Sequence, residues 1–288
     1  MSGIIDAHQH VWDLAQAEYA WLGPEAGVLH RDFGMDDVAP EFAAAGVTGT
    51  VLVQSADNDE DTEHMFAVAE TAPIVLGIVG YVPLHEPERA AERLAELVKR
   101  PRFCGVRNLI HDRPDPQWLL RPDVDEGLGL LERAGVPFDV VGVLPEHLEA
   151  VLAISERHPD LDLVIDHLNK PPIGLADHEP WASLMTRVAA NPRVRGKVSG
   201  LYSAIGDPSD WTVDAIRPIL DHVLEAFGPD RLMYGGDWPV SLIAGGYARV
   251  WSGIDELLGG LDAADRDLIL AGTARSFYSL PGSETSDD

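Results

Sequence analysis

Two histidines spaced two apart, His8 and His10 in Ile5-Asp6-Ala7-His8-Gln9-His10, put a pair of nitrogen bases near the start of the chain. Imidazole binds divalent ions and titrates near neutrality, so such a pair can hold a metal or move a proton. A bare His-x-His is a weak signal, and its meaning depends on what the rest of the chain sets against it. Two later segments carry matching groups, Asp166-His167-Leu168-Asn169-Lys170 and Gly235-Gly236-Asp237-Trp238. His8, His10, His167 and Asp237 together make an N/O donor set for one divalent ion, zinc first and manganese second, or for proton transfer with no metal.

The elements that must position them can be read from hydrophobic spacing. His8 and His10 fall in a strand-like run, where alternate residues face the same way. Asp6 shares that parity but lies deeper, which suits a buried orienting role. Strands are expected at residues 4–8, 49–54, 74–81, 103–109, 137–141, 161–167, 194–201 and 231–236. Helical spacing separates them, most clearly at 88–99, 146–157 and 213–227. Strands alternating with helices imply parallel pairing and right-handed crossovers. Eight such units in about 250 residues is the arithmetic of a single α/β fold, a distorted (β/α)8 barrel of the TIM type. An open doubly wound sheet would want a glycine-rich phosphate turn after strand one, and His8-Gln9-His10-Val11-Trp12 is nothing like one. One barrel domain is expected over 1–280, followed by a disordered acidic tail over 281–288.

Barrels of this kind carry their chemistry at the C-terminal ends of the strands. The polar groups expected there include Gln54 after strand two, Arg107 and His111 at strand four, and Lys170 after strand six. For Arg107 an anion or carbonyl partner and an ion pair with a barrel carboxylate are equally open. Lys170 is one of three lysines and sits beside two prolines; substrate contact and a structural ion pair both fit it. Trp12 and Trp238 are expected to shape an apolar wall, and the long connection 11–34, with Tyr19, Trp21 and His30, to cover the site. His147, His158, His178 and His222 fall in or beside helices and are expected on the surface.

Composition narrows the partners. Acidic residues number 48 against 21 basic ones, a net charge of −27. That field repels nucleic acid and anionic membranes, so neither is expected as a partner. No apolar run approaches the ~20 residues of a membrane span. Cys104 is the only cysteine, which fits a reducing cytoplasm. A homo-oligomer is left open.

The segments Ile5-Asp6-Ala7-His8-Gln9-His10-Val11-Trp12-Asp13, Val51-Leu52-Val53-Gln54, Gly105-Val106-Arg107, Ile165-Asp166-His167-Leu168-Asn169-Lys170-Pro171-Pro172, Lys197-Val198-Ser199-Gly200-Leu201 and Tyr234-Gly235-Gly236-Asp237-Trp238-Pro239-Val240 follow one another in order. In this combination the chain resembles the amidohydrolase superfamily, in its branch of sugar-lactone and pyrone-dicarboxylate lactonases. The resemblance implies a distorted barrel and hydrolysis of a lactone ring, with or without a divalent metal. It puts His8, His10, His167 and Asp237 at the metal or water site. Residues 137–141 offer no lysine or glutamate of the kind that bridges two metals in binuclear relatives, only Asp139, so one metal at most is expected. Gly236 stands where the family often has serine, a change expected to be tolerated because glycine adds backbone freedom.

The expected reaction is water attack on a lactone carbonyl, with Asp237 taking and returning the proton and the histidines, alone or through a metal, polarising the carbonyl or the water. Arg107 or Gln54 would bind carbonyl or hydroxyl oxygens. A diacid substrate would need several arginines at the mouth, and Arg107 alone ends a strand, which favours a neutral aldono-lactone such as an L-fucono-, L-rhamnono- or L-galactono-lactone. The alternatives are a pyrone-dicarboxylate lactonase and a metal-dependent decarboxylase of an aromatic or muconate-type acid.

Overall fold

A computed structural model describes residues 3–282; residues 283–288 of the expected tail lie outside the described residues. Eight strands pair in parallel in the order of the chain: β1 Ile4–Gln9, β2 Val47–Val53, β3 Val75–Gly80, β4 Phe103–Leu109, β5 Phe138–Val141, β6 Leu163–Ile165, β7 Val194–Val198 and β8 Leu232–Tyr234. The seam between β8 and β1 is closed by a single bridge, with His10 N donating to Trp238 O and Asp237 N donating to His8 O. That thin seam joins the two strand ends that carry His8, His10 and Asp237.

The outer ring consists of α1 Met35–Ala45, α2 Asp59–Thr71, α3 Pro87–Leu97, α4 Pro122–Ala134, α5 Pro145–Arg157, α6 Trp181–Ala189, α7 Val213–Phe227 and α8 Tyr247–Leu258. Local chemistry sets their ends. Pro87 opens α3, the Asn58 side chain caps α2 by accepting from Asp61 N at 2.8 Å, and Gly46 and Gly135 end α1 and α4 in the left-handed region. Leu94 and Leu97 of α3 turn inward, as their spacing requires. Among the described residues no helix is long and apolar enough to cross a membrane.

Inside the barrel, Ile5, Ala7, Val51, Val53, Val79, Val164 and Met233 pack on Ala274, Phe277, Tyr278 and Leu280. This plug closes the floor and leaves the opposite end for polar groups. The last strands are shorter than their apolar runs suggest. β6 stops at Ile165, β7 at Val198 and β8 at Tyr234, because the chain must turn to aim side chains into the mouth.

Two expectations about individual residues fail. His147 is buried, its Nδ1 accepting from Val143 N at 3.0 Å, and so ties down the start of α5. His158 is also buried, between Glu132 and Asp125, each 3.3 Å from a ring nitrogen. Helical position alone did not show which face each histidine occupied.

Candidate active site

Simple alternation does not explain how β1 works. The three steps from Asp6 to Gln9 match only two on β2, from Thr50 to Leu52, so the strand carries a bulge. Asp6 therefore separates from the two histidines. It accepts from His8 N, Gly236 N and Tyr247 Oη at 3.1, 2.8 and 3.0 Å, and acts as a knot between β1, β8 and α8. Burial pushes its carboxyl up to about 7.

His8, His10, His167 and Asp237 all meet at the mouth. Asp237 Oδ1 lies 3.8 Å from His8 Nε2, 3.5 Å from His10 Nε2 and 3.9 Å from His167 Nε2. Each residue is at most 5% exposed, so the cluster is shielded from bulk water. The other ring nitrogens are held as well. His10 Nδ1 donates to Val53 O at 2.7 Å, which leaves its Nε2 as a lone pair facing inward. His167 Nδ1 meets Ser199 Oγ at 2.9 Å, and His8 Nδ1 has Lys197 Nζ at 3.1 Å and Asp166 Oδ1 at 3.4 Å. Tyr202 Oη donates a short bond to Asp237 Oδ2, so only Oδ1 is left for chemistry.

Burial lowers the pKa of all three imidazoles, His8 well below its usual value and His167 to about 3, so they are neutral at neutral pH. Burial also opposes charge on Asp237. The facing His167, His10 and nearby Lys170 outweigh it and hold the carboxyl well below the usual range. An anionic base thus faces three neutral imidazoles.

Beneath them lies a charge cluster that strand patterns did not reveal. Lys197 of β7, fully buried, sits 2.6 Å from Asp139 Oδ2 and 3.0 Å from Asp166 Oδ1. Arg107 Nη1 bonds Asp166 Oδ2 at 3.0 Å, and Tyr278 Oη donates to Asp139 Oδ2 at 2.7 Å. The one acidic residue of β5 is thus turned to a lysine. The available signal was Lys197 itself, a cation inside an expected strand of the barrel, where burial is costly without partners.

The backbone around the cluster is strained. His167, Leu168, Asn169, Lys170 and Asp237 all have φ between 48° and 58°, and non-glycine residues held there cost about 1–3 kcal/mol each. Two glycines make room. A Cβ on Gly200, itself at φ 54°, would lie 2.5 Å from His167 Nδ1 and 2.8 Å from Asp237 Oδ2. A Cβ on Gly236 would lie 2.2 Å from the Tyr247 ring and 2.5 Å from Asp6 Oδ2. Gly236 therefore serves close packing rather than freedom. Gly236→Ser should lower stability by about 1–3 kcal/mol, read from the denaturant midpoint; a variant as stable as the parent would show that Tyr247 yields.

The site opens into a cavity of about 270 Å³, lined by His10, Trp21, Leu29, Ser55, Arg107, Leu109, His111, Val141, Val143, His167, Lys170, Asp237, Val240 and Ile243. Arg107, Lys170 and His111 stand in this wall. Gln54, Trp12 and Trp238 do not. The Gln54 amide donates to Asp57 and to Arg107 O. Trp12 gives its indole N–H to Arg31 O and packs edge-on against Trp21 at 5.3 Å, while Trp238 packs on Phe33. The connection after β1 covers the site as expected, with Trp21 and the buried Leu29 lining the cavity and His30 turned to solvent.

The donor set fits a metal ion. Tetrahedral zinc with bonds of about 2.0–2.1 Å needs ligand atoms roughly 3.3–3.5 Å apart. His8 Nε2 and His10 Nε2 are 3.2 Å apart, and the carboxylate oxygen is 3.5–3.9 Å from the three imidazoles. Three of the four, His8, His167 and Asp237, have ligand atoms all within 4.8 Å of one another, and His10 Nε2 adjoins that group through His8 and Asp237. Of the ring nitrogens, His8 Nε2 would have to give up a proton, as metal binding commonly requires.

A parallel eight-stranded barrel with a buried His/Asp cluster at the strand ends defines a hydrolase-type site, and the amidohydrolase family pattern matches residues 5–280. The chain belongs to the amidohydrolase family. It is 36% identical over 283 residues to the L-fucono-1,5-lactonase of Burkholderia ambifaria, covering 96% of this chain and 95% of that protein. It is 33% identical to the L-fucono-1,5-lactonase of Burkholderia multivorans, covering 96% of each. The crystal structure of an amidohydrolase from Burkholderia multivorans with bound zinc superposes with a TM-score of 0.89 at 32% identity, covering 97% of this chain and all of the other.

Proposed function

We propose that this protein hydrolyses a sugar-derived lactone, with L-fucono-1,5-lactone as the first candidate. The observation that carries this reading is Asp237 Oδ1, an anionic base facing three neutral imidazoles at the end of a 270 Å³ cavity. That volume is near the small end for ligand sites and suits a monosaccharide. Asp237 takes a proton from water as the water oxygen bonds the carbonyl carbon. When the tetrahedral intermediate collapses, the ring C–O bond breaks and the same proton passes to the departing alkoxide. Tyr202 holds the second carboxylate oxygen, which keeps Oδ1 turned to the water. His8, His10, His167 and Asp237 would hold a zinc ion, which supplies Lewis acidity when bound.

The wall offers Arg107 already paired to Asp166, so two anion sites for a pyrone diacid are not built here. A lactone panel followed by acid release, beside a decarboxylation assay by carbon dioxide release, tests the reading. Turnover of an aldono-lactone supports it, and carbon dioxide from an aromatic acid with no lactone opening overturns it. For the metal, protein equilibrated with zinc and desalted should retain about one ion per chain, and His8→Ala should retain none. Elemental analysis reads both; equal retention by the two proteins would remove His8 from the donor set.

A further inference from the structure

The segment from His167 to Lys170 holds four successive non-glycine residues at φ 54°, 50°, 58° and 48°. This turn puts an imidazole of the cluster and the Lys170 ammonium in the wall of one cavity. Lys170 Nζ donates to Gly200 O at 3.0 Å and lies 4.3 Å from the centre of the Tyr202 ring. An ammonium carries three N–H donors. The carbonyl takes one and the ring face satisfies another, which leaves a donor for the cavity. Of the basic groups in that wall, Arg107 is paired to Asp166 and His111 lies against Asp112, whereas Lys170 has no carboxylate within ion-pair distance among the described residues. A half-buried cation with no carboxylate in direct contact is offset further by negative charge that arises on a bound molecule. Tyr202 also fixes the spacing, because its hydroxyl holds Asp237 and its ring lies against Lys170.

We infer that Lys170 is a catalytic residue, its ammonium donating to the lactone carbonyl oxygen as that oxygen becomes an oxyanion. This rests on the lactone reading above. Water adds to the carbonyl carbon, the C=O π pair moves onto oxygen, and Lys170 N–H binds that charge without giving up its proton. The pair then re-forms C=O, the ring C–O bond breaks, and the alkoxide takes the proton held by Asp237.

The test measures kcat and KM for Lys170→Met, Lys170→Gln and Lys170→Arg on the panel lactone that the wild type opens fastest. Lys170→Met and Lys170→Gln should lose about 10²–10³-fold in kcat with KM changed by less than about threefold, and Lys170→Arg should recover much of that loss. A loss confined to KM would make Lys170 an anchor for a substrate hydroxyl or carboxylate and overturn the inference. So would a kcat within about twofold of wild type. If Lys170→Met does not fold, the Arg-against-Gln comparison decides, and equal kcat for the two overturns it. A wild type that opens no lactone removes the underlying reading, an outcome distinct from any of these.

Discussion

Asp237→Asn should lower kcat/KM for lactone opening by about 10³-fold with little change in the folded structure. The amide keeps the size of the carboxylate and can still accept from Tyr202 Oη, so the loop after β8 keeps its shape. What disappears is the one anionic oxygen that three imidazoles face. The zinc content of the variant is measured beside its rate, since Asp237 is both base and donor. A rate loss with zinc retained isolates the proton transfer, whereas activity above about a tenth of the parent would sink Asp237 as the base.

The second large effect falls on stability. Lys197→Met leaves Asp139 and Asp166 buried without their shared cation, and breaking such a cluster costs about 3–5 kcal/mol. The denaturant midpoint at constant slope reports it. Burial already pushes the Asp139 carboxyl up to about 6 against the pull of Lys197, and removing Lys197 drives it higher. A carboxyl with a raised folded-state pKa contributes stability below its unfolded value and loses it as pH rises through the folded value. The gap between parent and variant should therefore widen from pH 5 to pH 8. Lys197→Met/Asp139→Leu should recover part of the loss, because the stranded carboxylate goes with its partner. A single variant within about 1 kcal/mol of the parent would show that water or rearrangement relieves the cluster.

The barrel was legible because eight apolar runs alternate with helical spacing, a pattern set by burial on both faces of each strand. The convergence of His8, His10, His167 and Asp237 was legible for a related reason, since ionisable groups at strand ends are costly unless they are used or paired. What stayed hidden depends on contacts distant in sequence. Parity placed Asp6 with His10, and only pairing with β2 reveals the bulge that separates them. Trp12 and Trp21 are indistinguishable as letters in one loop, yet Trp12 backs the wall and Trp21 forms it. Tyr202 acts through a residue 35 positions away, and Lys197 through one 58 positions away. The left-handed turn at His167–Lys170 contains no glycine to announce it.

The floor plug also reaches the reacting end. Tyr278 Oη bonds Asp139, Asp139 bonds Lys197, and Lys197 meets His8 Nδ1, a column spanning the barrel from bottom to mouth. Natural or laboratory selection therefore has a handle on His8 that never touches the substrate. A change in the C-terminal segment at Tyr278 reaches His8 through two buried charges and through none of the cavity wall.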